Sequence, residues 1–261
     1  MSLTGKTPKD TYKDLLYVDN SNTGLDHNAR RIKSGNGTSS SLLVSNKNLK
    51  VSSTQNNTSA FIVVNQDNAE KFNVDTSNDQ VKALGNHVNT QYAYFGISPH
   101  DSSILAANTH VAIPFKNGNY PTSLYPLNIG TGTDPDTTFT TANSNNQRAS
   151  TLTSCMWYVP ENISIDAVYS IEGADAASGD TTRMHLMSYT FTSGSTSALT
   201  EGVVLANNSD VTNAGSEQAY LTEWTINSAA VTGGKVILAT FRQDGTNSDY
   251  TINITIKYHL T

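Results

Sequence analysis

The chain closes on "KVILATFRQDGTNSDYTINITIKYHLT", residues 235–261. Tyr250, Ile252, Ile254, Ile256, Tyr258 and Leu260 alternate with Thr251, Asn253, Thr255, Lys257 and His259. A period of two sends one set of side chains into a core and the other toward solvent or a partner, which is the pattern of a β-strand. Lys235–Gln243 reads as a second strand, and Asp244-Gly245 predicts a hairpin between the two. A strand that runs to the last residue but one frays unless neighbours hold it. The final strand is therefore expected to lie wedged between others and to complete a sandwich.

Working back toward the N-terminus, "SCMWYVP", "ISIDAVYSIEG", "TRMHLMSYTFT", "EGVVLA" and "AYLTEWTI" read as further strands. The turns "GADAASGD", "TSGSTSALT", "NNSDVTNAGSE" and "TGG" separate them. Ile104-Leu105 and Val111–Phe115 add strands ahead of a long Gly-, Pro-, Asn- and Thr-rich loop over 116–150. Many strands at this spacing, with little helical signal, predict an all-β domain over 99–261, a jelly-roll-like β-sandwich head. Composition agrees. Hydrophobic residues make up 36% of the 261 residues and charged residues 15%, against about 45–50% apolar for an average globule. Asn, Thr, Ser and Gly supply the difference, as suits strands with a polar face joined by turns that bond their own backbone.

Residues 41–98 repeat a short motif. Phe61-x-Val63 returns as Phe72-x-Val74 after the polar turn "NQDNAE", and Val81 and Leu84 follow "DTSND". Strands with two or three inward side chains are too small to close a core by themselves. The pattern predicts a thin β shaft made by three chains together, with Phe61, Val63, Phe72 and Val74 in its core. An ordinary meander folded back on the C-terminal domain is the alternative. Residues 1–40 are polar and turn-rich apart from Tyr12 and the run Leu15, Leu16, Tyr17 and Val18. Such a segment cannot bury enough surface to fold alone and is expected to be an extended arm that docks on another protein through those five residues.

"TPKDTYKDLLYVDNSNTGLD…RRIKSGNGTSSSLLVS" resembles the N-terminal segment of structural appendage proteins of tailed bacteriophages, marine ones especially. "AFIVVNQDNAEKFNVDTSNDQVKALG" resembles the shaft repeats of trimeric phage fibres. Together these cover roughly the first 90 residues. The resemblance implies a homotrimer built into a virion and assembled in the host cytoplasm, with its N-termini on the particle (capsid or tail) and its C-termini outward. The partners it implies are sister chains, other virion proteins and a host-surface glycan or receptor.

Signals for chemistry are weak. The net charge is −6, and Arg30-Arg31-Ile32-Lys33 is the one basic cluster, so no stripe for nucleic acid is present. No window reaches the ~20 apolar residues of a membrane span, and the N-terminus carries no apolar core of a secretory signal. Cys155 in "LTSCMWYVP" reads as a small buried hydrophobe. His100 and His110 flank "DSSILAANT", with Asp101 adjacent, but their spacing matches no zinc pattern. Asp134 and Asp136 in "TGTDPDTT" are two oxygen donors where calcium needs several more. Ser195 in "SGSTS" lacks the G-x-S-x-G elbow. No catalytic residue, cofactor or metal site is expected. A polysaccharide depolymerase is disfavoured, because nothing sets two carboxyl groups across a cleft. The twelve tyrosines exceed phenylalanine and tryptophan together. Tyr92, Tyr94, Tyr120, Tyr125 and Trp224 are candidates for contact with sugar or protein, and a free carbohydrate-binding module is the rival reading.

Overall fold

The computed structural model describes residues 14–21, 23–101, 106–115, 128–138, 152–175, 178–195, 199–215, 217–245 and 249–261. The protein is all-β: among the described residues antiparallel strands supply the regular structure, with a 3-10 turn at Thr153–Cys155. It divides into two compact units, Met1–Val88 and Asn89–Thr261.

The smaller unit holds two four-stranded sheets. The first is β1 (Leu16–Val18), β2 (Arg30–Ser34), β3 (Ser39–Val44) and β4 (Leu49–Val51); the second is β5 (Phe61–Val64), β6 (Glu70–Asp75), β7 (Gln80–Ala83) and β8 (Asn86–His87). Each is a meander in chain order. Short polar side chains close the turns, as their abundance predicted. Asn65 Oδ1 accepts from the backbone N–H of Asp67 and Ala69, and Asp75 Oδ1 accepts from Ser77 and Asn78. These contacts replace what a longer loop would need in packing. Two expectations change. The four strands from Leu16 to Val51 form a sheet where an extended arm was expected up to residue 40. The division between units falls after Val88 rather than at 98/99.

The reason for the second change is β9 (Thr90–Asp101), which pairs with the C-terminal strand of the larger unit over Thr90–Ile97 and again at His100 and Asp101. Ala93, Phe95 and Ile97 point into the core. The remaining strands are β10 (Val111–Ile113), β11 (Trp157–Tyr158), β12 (Ile163–Asp175), β13 (Thr181–Phe191), β14 (Leu199–Asn207), β15 (Val211–Thr212), β16 (Glu217–Glu223), β17 (Thr225–Ile226), β18 (Ala230–Val231), β19 (Lys235–Gln243) and β20 (Asp249–Leu260). One sheet has the order β16-β12-β20-β9 and the other β10-β19-β13-β14-β17. The pairs nest: β13–β14 lies inside β12–β16, that inside β10–β19, and that inside β9–β20. This order is compatible with a jelly roll.

β20 is indeed held on both sides, by β12 and by β9. It does not form a hairpin with β19, contrary to the Asp244-Gly245 signal. The two strands belong to different sheets, so the turn carries the chain across the core. Side chains from both sheets share one buried cluster, including Phe95, Val168, Leu186, Phe241, Tyr250 and Ile254. A second cluster lies on the other face of the β19-containing sheet, where Met187, Tyr189, Leu199 and Leu238 meet Ile129, Leu152 and Cys155. Burial on both faces explains why Val236–Ala239 reads as an unbroken apolar run rather than an alternation.

Candidate functional site

Among the described residues of the smaller unit, no hydrophobic side chain is buried. Phe61, Ile62, Val63 and Val64 are each between 42% and 45% exposed, so both faces of β5 are open. The register explains the F-x-V repeat: Phe61 lies opposite Val74 and Val63 opposite Phe72 across one hairpin, and the rings of Phe61 and Phe72 sit 6.1 Å apart. Val81 and Ala83 continue that face on β7. Beside it, Leu49, Val51, Ala60, Phe61 and Val74 line an open groove of about 550 Å³.

Leu15, Leu16 and Tyr17 are exposed and Val18 half-buried. β1 is pinned to β2 by register and by the Lys33–Asp19 ion pair at 2.7 Å, which raises the Lys33 ammonium and leaves the apolar run on an ordered strand. Tyr12, Tyr120 and Tyr125 lie outside the described residues. Trp224 is not a surface ring. It is 4% exposed in the main core and its indole N–H donates to Ser170 Oγ at 2.9 Å. The polar Asn/Thr setting in sequence concealed a buried tryptophan satisfied from within.

Of the histidines and aspartates weighed for metal chemistry, His110, Asp134 and Asp136 come together with His185, while the side chains of His100 and Asp101 lie outside the described residues. His110 and His185 are fully buried with their rings 5.1 Å apart. His110 Nε2 lies 3.1 Å from the Gly132 carbonyl and His185 Nε2 3.1 Å from Asp134 Oδ1. Tyr189 O–H donates to the Asp136 carbonyl and Gly202 N–H to that of Thr137. Together these bonds strap residues 128–138 across the β13 face. Gly202 has to be glycine, since a Cβ there would overlap the Tyr189 ring and the Thr137 backbone. Burial pushes the His185 imidazole down to about 4, helped by neighbouring His110. His110 is lowered too, first by burial, with the Arg242 guanidinium adding to it.

Glu172 is the second buried ionisable group. It is 1% exposed, accepts from Thr182 Oγ1, and is pushed up to about 7 by burial. Its Oε2 has no hydrogen-bond partner among the described residues. The two features respond to pH with opposite signs. Both imidazoles are lowered, and for His185 the unfolded chain binds between about pH 6.5 and 4 a proton that the folded chain refuses, so stability falls on acidification. Glu172 keeps its proton when folded, so stability falls as pH rises from about 4.5 to 7. In a Glu172→Gln chain the opposing contribution is gone, and denaturant midpoints should drop steadily from pH 6.5 to 4.5. A flat profile would show that the strap does not depend on neutral histidines.

Three of the larger unit's most exposed apolar residues were not anticipated: Tyr169, Ile171 and Leu221. They share the outer face of the β16-β12-β20-β9 sheet with Tyr92 and Tyr94. No helix of the described residues is long and apolar enough to cross a membrane.

No protein-family model matches this chain. No curated protein matches it either.

Proposed function

We propose that the chain is a non-enzymatic structural protein of a bacteriophage virion, a homotrimeric fibre or decoration protein. In this reading the smaller unit attaches to the particle and trimerises, and the larger unit is a distal jelly-roll head for adhesion or particle stabilisation. The observation that carries it is the smaller unit's lack of any buried hydrophobic side chain among its described residues. Eight ordered strands without a core cannot offset the entropy of ordering them, about 1–2 kcal/mol per residue. Apolar surface has to come from elsewhere, and at about 25 cal/mol per Å² three copies of Phe61, Val63, Phe72 and Val74 around an axis would supply it.

Leu84 points the same way. It is 72% exposed and sits at φ 51°, a left-handed position where Asn or Gly is the usual choice. A leucine there is costly in a lone chain and useful against a neighbour.

The docking role falls to Leu15, Leu16, Tyr17 and Val18, with Tyr12 upstream. A Leu16→Asp/Tyr17→Asp chain should keep its fold and its oligomeric state yet be missing from purified particles by immunoblot. Normal incorporation of that variant would end the docking reading. A second reading, recognition of a host glycan, is favoured by a pocket of about 230 Å³. Trp157 and Tyr258 form its aromatic wall, with ring centroids 4.9 Å apart, and Gln91 and Glu161 its polar edge.

A further inference from the structure

We propose that the outer face of the β16-β12-β20-β9 sheet is where the larger units of sister chains meet. The inference rests on the homotrimer reading above and names the second surface that the trimer would use. Strand register places the residues. Leu221, Ile171 and Asn253 form one row across three strands, and Glu223, Tyr169, Thr255 and Tyr94 form the next across four. Lys257 and Tyr92 follow on β20 and β9. Leu221 is 75% exposed, Tyr92 54% and Ile171 52%. Tyrosines and aliphatics with charge confined to the margins is the composition of an interface core. The aliphatic pair argues against a sugar, whose hydroxyls Leu221 and Ile171 could not satisfy.

Two observations point to a sister chain as the occupant. First, the exposed apolar residues run on along the chain from the smaller unit into this face: Leu84, Val88, Tyr92 and Tyr94 are all exposed. In a trimer joined through β5–β8, three copies of β9 begin near one another, because the step from His87 to Thr90 spans at most about 10 Å. Second, the margins are complementary. Glu217 and Glu223 lie on β16 at one edge of the sheet, and Lys257 lies on β20 near the other. In a three-fold ring each contact is heterologous and sets one margin of a subunit against a different margin of the next. The opposite sheet is covered around Met187, Tyr189 and Leu238 by the 128–138 strap and the Thr153–Cys155 turn, and its exposed apolar residues among those described are Tyr158, Phe191 and Val203.

The face is small. Three inter-strand gaps of about 4.8 Å and two row steps of about 7 Å give on the order of 200 Å², well below the ~800 Å² per partner of a stable complex. It holds only when the smaller unit supplies the effective concentration.

Hydroxyl-radical footprinting of the full chain tests this. In the wild-type trimer, Tyr92, Tyr94, Tyr169 and Leu221 should oxidise several-fold more slowly than in a Val63→Asp/Phe72→Asp chain that has dissociated. A Leu221→Arg chain, still trimeric through its smaller unit, should show the three tyrosines oxidising faster than in wild type. A trimer with equal rates in all three chains overturns this inference and leaves the trimer standing. Protection that persists in the dissociated chain overturns it too, since the chain's own segments would then cover the face. A wild-type chain that sediments as a monomer removes the trimer reading, and this inference with it.

Discussion

Replacing Glu172 by glutamine should raise the stability of the larger unit at pH 8 by about 3 kcal/mol and leave it nearly unchanged at pH 4.5. The carboxyl is pushed up to about 7 by burial, from a usual value of 4.5. Each unit of such a displacement is worth about 1.4 kcal/mol. At pH 8 the unfolded chain gains an ion in water, while the folded chain must keep one buried between the sheets. Glutamine removes that difference and still offers an oxygen to Thr182 Oγ1, which bonds Glu172 now. For a unit of this size the gain corresponds to roughly 6–12 °C in thermal midpoint. Calorimetry of both chains at pH 4.5 and pH 8 checks it. A stabilisation equal at both pH values would mean that packing, not ionisation, limits the site.

A Val63→Asp/Phe72→Asp chain should fall apart into single subunits. The two residues are directly opposed on β5 and β6, beside the Phe61–Phe72 ring contact. Burying a Val or Phe is worth about 1.5–3 kcal/mol, and a carboxylate left unpaired in a dry interface costs several kcal/mol more. Multiplied over three chains, the substitution should weaken association by several orders of magnitude. The larger unit has its own core and should keep its thermal transition. The same two substitutions on a true monomer surface would cost far less, since Val63 is 45% exposed and Phe72 only half-buried. An unchanged oligomeric state and unchanged stability would therefore refute the shaft assignment.

How far the sequence reveals this molecule varies from strand to strand. β20 and β19 are legible because alternation and unbroken apolar runs report directly on one-faced and two-faced burial. The hairpin between them is not, since a turn dipeptide fixes local chain reversal but not which sheet receives the next strand. β12 shows the limit most clearly. Ile163, Ile165, Ala167, Tyr169 and Ile171 alternate as though all faced one way. A bulge between Ile165 and Ala167 reverses the parity. Ser170 and Glu172 are therefore buried, while Tyr169 and Ile171 face outward. Both the buried carboxyl and the proposed inter-subunit face come from that one extra residue, for which the sequence carries no plain signal. The strap bonds of His110, His185 and Asp134 were equally hidden, because they depend on residues 51 positions apart meeting in space. By contrast, the short strands of residues 41–98 pointed to little burial from strand length alone, and among the described residues of 41–88 no hydrophobic side chain is buried.

Sedimentation equilibrium of the full-length chain at micromolar concentration tests the central claim most directly. The account predicts a particle of three 28.0 kDa chains with no detectable single subunit. A compact, stable species with the mass of one chain would contradict it, because Phe61, Val63, Phe72 and Val74 would then have no partner to cover them.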